Sequence, residues 1–152
     1  MDFTAIDAGC CLTDPNIPIP VGRSREEILV DGTPLSYVPF RNGIFLAYAV
    51  ALGEVEGIEN IYAGANGLNS GNYWDDTTAF ASKFTAAART GTSQEYNPTI
   101  RFPFARWGKK KIVALGKRLG IDYEKETWSC YVGGKTHCGI CDSCVQRMDA
   151  LG

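Results

Sequence analysis

Residues 44–52 form an uninterrupted run of apolar and small side chains that Gly53 ends. Pro39 stands just ahead of it, and proline is tolerated in a first helical turn, so a helix is predicted over about 38–56. Its apolar residues occupy every side, which predicts burial against more than one layer rather than a half-solvated position. Residues 61–65 read as a short buried strand that opens into a polar loop over 66–76. A second helix is predicted over about 77–89, with Phe80 and Phe84 on one face and Gly91 at its end. Residues 99–104 read as a second strand and 109–119 as a helix stopped by Gly120. Residues 1–35 carry no such rhythm. Pro15, Pro18, Pro20 and Pro34 break any helical period there, predicting an irregular arm or edge segment.

Strands alternating with helices predict an α/β fold, a partial doubly wound parallel sheet. In such sheets ligands lie beyond the carboxyl ends of the strands, which points to the loop after residue 65 and the turn after Phe104. The length, 152 residues, suits one domain with a core of ordinary size. Within it we expect a partial nucleotide- or substrate-binding part over 1–125 and a cysteine-bearing element over 126–152. The formal net charge is −2, which advertises neither nucleic acid nor membrane as a partner. No leader-like segment or membrane-length apolar run is visible, so a cytoplasmic location is expected.

The densest chemistry lies near the carboxyl end. Cys130, Cys138, Cys141 and Cys144 place four of the six cysteines within fifteen residues. Thiolates separated by two residues can turn inward together, and four of them suit a tetrahedral Zn²⁺. Gly133, Gly134 and Gly139 free the backbone to double back. A closed four-sulfur site is a structural one. An iron–sulfur cluster is the rival reading, although the Cys-x3-Cys-Pro continuation of a ferredoxin run is absent. Reduced core thiols are the third, and that reading fits Cys10 and Cys11 better than the cluster. His137, the single histidine, either displaces one sulfur or stands outside the ligand set.

Two further groups carry charge or hydrogen-bonding capacity at helix starts. Arg41 and Asn42 either bind an anion through a guanidinium fork and helix N–H groups or serve as a cap with a surface charge. Residues 106–111, Arg-Trp-Gly-Lys-Lys-Lys, put cations where the helix dipole disfavours them, which suggests an external anion. The bland reading is a solvated helix start, and a nucleic-acid patch would rest its stacking on Trp107 alone. Trp128, Tyr131 and Tyr73 are expected as core or pocket walls.

Taken in order, Tyr-Val-Pro-Phe-Arg-Asn at 37–42, the strand and loop at 64–80, Phe-Pro-Phe at 102–104 with Lys109, and Glu-Thr-Trp-Ser-Cys-Tyr at 126–131 running into Cys-Gly-Ile-Cys-Asp-Ser-Cys at 138–144 and Arg147 resemble the 7-cyano-7-deazaguanine synthase family. The resemblance covers about four fifths of the chain, with residues 1–30 similar only loosely. It implies an adenine nucleotide alpha hydrolase-like fold with a C-terminal zinc knuckle. It also implies an ATP-dependent ligase of queuosine biosynthesis, a tRNA-modification pathway. In that family 7-carboxy-7-deazaguanine is adenylated, takes ammonia to form an amide, and is dehydrated to the nitrile. Attaching AMP supplies the leaving group that a delocalised carboxylate lacks, with Mg²⁺, cations and backbone N–H groups holding the phosphates. Zinc in such proteins is structural.

The resemblance further places Asn66 and Asp75 in the family's substrate loop, where an amide and a carboxylate can read a purine-like edge. It places Lys109 on the family's lysine, facing ATP phosphates. Two departures stand out. The family's Asp is Asn69 here, and its Ser-Gly-Tyr-Pro-Asp-Cys-Arg stretch reads Gly-Asn-Tyr-Trp-Asp-Asp-Thr at 71–77. The Ser-Gly-Gly-x-Asp-Ser loop that cradles ATP phosphates in the family is found nowhere in residues 1–152. The expectation is therefore a truncated or split enzyme that uses ATP and Mg²⁺ only when a partner supplies the missing half. That partner is an N-terminal half chain, with a homo-oligomer as the other option. A non-catalytic, zinc-stabilised scaffold is the alternative.

Overall fold

The computed structural model describes residues 18–30, 32, 37–67 and 73–152. The readings on Cys10, Cys11, Pro15, Pro34, Asn69, Gly71 and Asn72 fall outside them. Described elements run in the order α1 (Arg25–Val30), α2 (Arg41–Glu56), β1 (Asn60–Tyr62), a 3-10 turn (Trp74–Asp76), α3 (Thr78–Gly91), β2 (Thr99–Arg101), α4 (Lys109–Arg118) and α5 (Asp142–Leu151). They fall into two compact units, one of residues 40–127 with 149–152 and one of the described residues up to 39 with 128–148.

The larger unit is α/β. β1 and β2 pair in parallel, with Ile61 opposite Ile100, and both of these residues are buried. They continue into a core with Leu46 and Val50 of α2, Ala81 and Ala88 of α3, and Phe102. The strands are shorter than the predicted 61–65 and 99–104, because pairing ends with Ala63 N–H donating to Arg101 O at 3.0 Å. Both helices after the loops form as expected. Thr77 caps α3 by accepting from Phe80 N–H at 3.1 Å, and Phe80 and Phe84 meet at 5.5 Å. The outer edge of β2 is closed by α3: Ile100 N–H donates to Thr85 Oγ1 at 3.0 Å, and Arg89 Nε donates to Pro98 O at 2.9 Å.

Among the described residues α2 is covered on one face, short of the burial against more than one layer that its sequence predicts. Its buried positions are Gly43, Leu46, Val50 and Gly53, a single stripe at helical spacing, whereas Phe45 is 63% and Val55 74% exposed. Among the described residues only β1, the 3-10 turn and α3 pack against α2, so one face is covered although the sequence is apolar all round. Phe40, not Pro39, is the N-cap. Its φ of 54° is the left-handed region that non-glycine residues rarely adopt, and its ring packs edge-on against Phe80 at 5.8 Å.

In the smaller unit the expectation of irregularity before residue 35 meets the structure only over the described residues 18–30 and 32, and there α1 departs from it. Ser24 accepts from Glu27 N–H at 3.3 Å and donates its own N–H to Glu27 Oε2 at 2.7 Å, the reciprocal capping box that starts a helix. Ahead of it, Val21 bridges Cys141 in antiparallel fashion, Gly22 N–H donates to Ile140 O at 2.9 Å, and Arg23 pairs with Asp142. No described helix is long and apolar enough to cross a membrane.

Candidate functional sites

Beyond the carboxyl end of β1 lies a cavity of about 360 Å³, within the usual size range of small-molecule sites, walled by Ile61 to Asn66, the first turns of α2 and Asp76. It brings together three residues singled out from the sequence, Arg41, Asn42 and Asn66. Asp75 is elsewhere. It is 5% exposed and sits beneath the start of α2, where its Oδ2 accepts from Asn42 N–H at 2.9 Å. Phe40 offers no side-chain cap, so a carboxylate from a distant turn fills that role for an orphan helical N–H. Asp76, which sequence reasoning passed over, lines the cavity at 8% exposure and accepts from Asn42 Nδ2. Nothing in its local sequence announces this, because its partner lies 34 residues away.

The loops after the two strands are joined. Gly67 N–H donates to Trp107 O at 3.0 Å, and a Cβ on Gly67 would come within 3.1 Å of Ala105 O, so a side chain there would push the loops apart. Lys109, half-buried, opens α4, and burial lowers its ammonium pKa below the ordinary lysine value. Its neighbours have intramolecular partners: Lys110 with Asp149 at 3.1 Å and Lys111 over the Trp107 ring at 4.0 Å. The basic run is thus partly neutralised by the fold itself.

In the smaller unit, Cys130, Cys138, Cys141 and Cys144 bring their Sγ atoms within 4.8 Å of one another. Zinc–sulfur bonds of about 2.3 Å in a tetrahedron require sulfurs on the order of 3.8 Å apart, and Cys138 and Cys144 stand at 3.9 Å. Cys141 and Cys144 are 0% and 1% exposed. Gly133, Gly134 and Gly139 all take positive φ, 81°, 97° and 77°, the turns the sequence anticipated at the knuckle. Backbone N–H groups already point at the sulfurs: Cys138 N–H at Cys130 Sγ, 3.4 Å, and Cys141 N–H at Cys138 Sγ, 3.3 Å.

The electrostatics favour a cation. The Cys138 N–H holds the Cys130 thiol down to about 6, whereas burial pushes Cys144 up to about 12. For Cys141 burial opposes ionisation, but N–H groups of Tyr131 and Cys144 outweigh it and lower the thiol. Four sulfurs this close cannot all be thiolates unless a positive charge sits among them. The donor set and spacing fit a metal ion that the four cysteines could hold.

His137 is beside the cluster with Nδ1 4.0 Å from Cys144 Sγ, and its ring stacks on Trp128 at 4.3 Å between centroids. Trp128 and Tyr131, expected as core or pocket walls, are 52% and 59% exposed. The metal-ligand spacing leaves no apolar core here for them to enter, and Trp128 Nε1–H instead donates to Cys130 O at 2.9 Å. Tyr73 is half-buried.

The sequence, compared with known proteins, matches a family with the same motifs. A family model described as Queuosine biosynthesis protein QueC matches residues 1–152, extending over the first thirty residues as well. Among curated relatives, the 7-cyano-7-deazaguanine synthase of Trichodesmium erythraeum is 40% identical over 146 residues, covering 94% of this chain and 65% of the relative. That of a Nitratiruptor species is 42% identical over 137 residues, covering 90% of this chain and 60% of the relative. That of Campylobacter jejuni subsp. jejuni is 40% identical over 140 residues, with 92% and 61% covered. The chain thus spans under two thirds of the length of these relatives, and by match and identity alike it belongs to the QueC family.

Proposed function

We propose that this chain carries the base-binding and metal-bearing part of a 7-cyano-7-deazaguanine synthase, which converts 7-carboxy-7-deazaguanine to the nitrile with ATP and ammonia. The observation that supports this reading best is the cavity beyond β1, where Arg41 supplies a cationic fork and Asn42, Asn66 and Asp76 supply polar groups around an apolar floor. A planar heterocycle with a carboxylate suits that lining: the guanidinium pairs with the carboxylate bidentately, and the polar groups read the ring edge. In this reading Lys109, at the start of α4, serves the triphosphate. Activation requires a phosphate-holding segment of the Ser-Gly-Gly-x-Asp-Ser type with Mg²⁺, which must come from sequence outside these 152 residues. Four cysteines around Zn²⁺ leave no open coordination position, so the zinc is structural.

The test incubates the chain, alone and with a segment bearing such a loop, with ATP, Mg²⁺, ammonia and 7-carboxy-7-deazaguanine. AMP and nitrile are expected only with the segment present, and Arg41→Ala should lower the yield at least tenfold. A second reading, a zinc-stabilised scaffold without catalysis, draws on the altered sequence at 71–77. It predicts no turnover in either mixture and no binding of the carboxylated base.

A further inference from the structure

Cys130, Cys141 and Cys144 are buried, so a thiolate on any of them takes its hydrogen bonds from the chain rather than from water. Backbone N–H groups of Cys138, Val132 and Gly133 reach Cys130, those of Tyr131 and Cys144 reach Cys141, and that of Gly139 reaches Cys144. Cys144 also has a side chain facing it: Nδ1 of His137 lies 4.0 Å from its Sγ, a length that the large radius of sulfur allows to an N–H donor. The plane of the imidazole is set by Trp128, on which it stacks with 4.3 Å between centroids and 23° between planes. Trp128 in turn donates its Nε1–H to Cys130 O at 2.9 Å. The first cysteine of the cluster thus holds the indole, the indole holds the imidazole, and the imidazole faces the last cysteine.

A neutral imidazole carries one N–H, and its place follows from the hydrogen bonds its two nitrogens can make. His137 Nε2 is buried with no partner among the described residues. A proton there strands an N–H and turns a lone pair toward an electron-rich sulfur; a proton on Nδ1 meets the sulfur and leaves only a lone pair alone, the milder deficit.

We propose that His137 is a positioning residue outside the ligand set, which donates its Nδ1–H to Cys144 Sγ and, braced by Trp128, keeps that sulfur turned to the metal. The inference rests on metal binding by the four cysteines and goes beyond it by naming the side chains that hold one ligand in place. Four sulfurs already close a tetrahedron, so a nitrogen ligand has no position to take. Groups that orient a ligand from outside in this way change metal affinity by about 10- to 100-fold when removed.

The test uses the full chain, prepared without a histidine tag and loaded with zinc or ¹¹³Cd. His137 is the single histidine, so an imidazole ¹⁵N spectrum reports on it alone. Long-range ¹H–¹⁵N correlation should place the proton on Nδ1, with no ¹¹³Cd–¹⁵N coupling. His137→Phe keeps a ring for Trp128 and removes the donor; competition against a chromophoric chelator should find its zinc affinity lower by about tenfold or more. His137→Asn sets an amide N–H at the Nδ1 position and should stay within about threefold of wild type, a rescue that a merely packing role does not give, since asparagine has no ring to stack. A proton on Nε2, or coupling between metal and nitrogen, overturns the inference. So does a phenylalanine variant that holds zinc as tightly as wild type, or an asparagine variant that loses it as readily as the phenylalanine one. Should the phenylalanine variant not fold, the wild-type ¹⁵N spectrum and the asparagine variant decide it. Wild-type chain that takes up neither metal overturns the metal reading, and the inference with it.

Discussion

Replacing Cys141 by serine probes the metal cluster where the fold has least to fall back on. Its side chain is fully buried, its N–H supports Cys138 Sγ at 3.3 Å, and its backbone bridges Val21. Among the described residues of that unit, Ile28 is the only buried hydrophobic that is not a cysteine. The cluster itself is therefore the core, and a bound ion would stand in for the missing aliphatic packing. Structural zinc contributes an apparent 10 to 16 kcal/mol or so in small domains near neutral pH; an even share over four ligands is about 2.5 to 4 kcal/mol. Dividing by about 1.4 kcal/mol per decade gives a loss of roughly 10²- to 10³-fold in zinc affinity. Serine keeps a weak oxygen donor, which favours the lower end.

Competition between the zinc-loaded protein and a chromophoric chelator reads this directly, with metal per chain from mass spectrometry. Melting should separate the two proteins only when zinc is present; stripped of metal, wild type and variant should melt together within about 2 °C, because the difference is carried by the ion. A variant that holds one equivalent with affinity within threefold of wild type would refute the reasoning. So would wild-type protein prepared anaerobically without a transition metal.

Other perturbations reach the larger unit and α1 of the smaller one. Tyr96→Phe removes the hydroxyl that donates to Ile58 O at 2.9 Å and should cost about 1 kcal/mol at pH 7 by urea unfolding. Burial, with Glu54 and Glu59 nearby, raises the Tyr96 pKa above its usual 10, so its contribution is whole below pH 10 and declines as the pH climbs from there through the folded-state pKa. The phenylalanine variant should therefore lose less stability than wild type between pH 10 and 11, and equal losses would contradict this. Thr85→Val leaves the Ile100 N–H without its side-chain acceptor and should cost about 1 to 3 kcal/mol, with hydrogen exchange at Ile100 accelerated. Ser24→Ala removes the α1 cap and should cost about 1 kcal/mol of local stability, seen as faster exchange at Glu27. Gly53→Ala drives a Cβ to 2.7 Å from Ile58 O, and the clash, about 1 to 3 kcal/mol, should outweigh the helix-propensity gain of about 1 kcal/mol.

What could be read from the sequence was what is set by neighbours in sequence. The cysteine spacing and its three glycines are local, and the four sulfurs do converge. The Phe80–Phe84 stripe and the Gly91 stop are local too, and α3 forms where expected. The capping box at Ser24 and Glu27 was equally local and could have predicted α1, but the flanking prolines drew the reading toward irregularity. The misplaced features depend on distant partners. An apolar sequence does not say how many faces will be covered, and α2 has one. Asp75, expected to read a base edge, and Asp76, passed over, take their roles from the start of α2, which makes one a cap and the other an acceptor for the Asn42 side chain.

The two candidate sites divide the chemistry between them for a reason that coordination imposes. A metal held by Cys130, Cys138, Cys141 and Cys144 has its tetrahedron filled by protein, with no position for substrate or water. In the function proposed above, the cations this chain offers a bound anion are Arg41, which lines the cavity, and Lys109, half-buried at the start of α4. Neither can make a leaving group of a carboxylate oxygen; that takes a phosphoryl donor. On that proposal the cavity is left the tasks its residues suit: holding the anion and reading the base edge until activation arrives. A variant that destroys zinc binding should accordingly lower stability far more than it changes affinity for the carboxylated base, whereas Arg41→Ala should do the opposite.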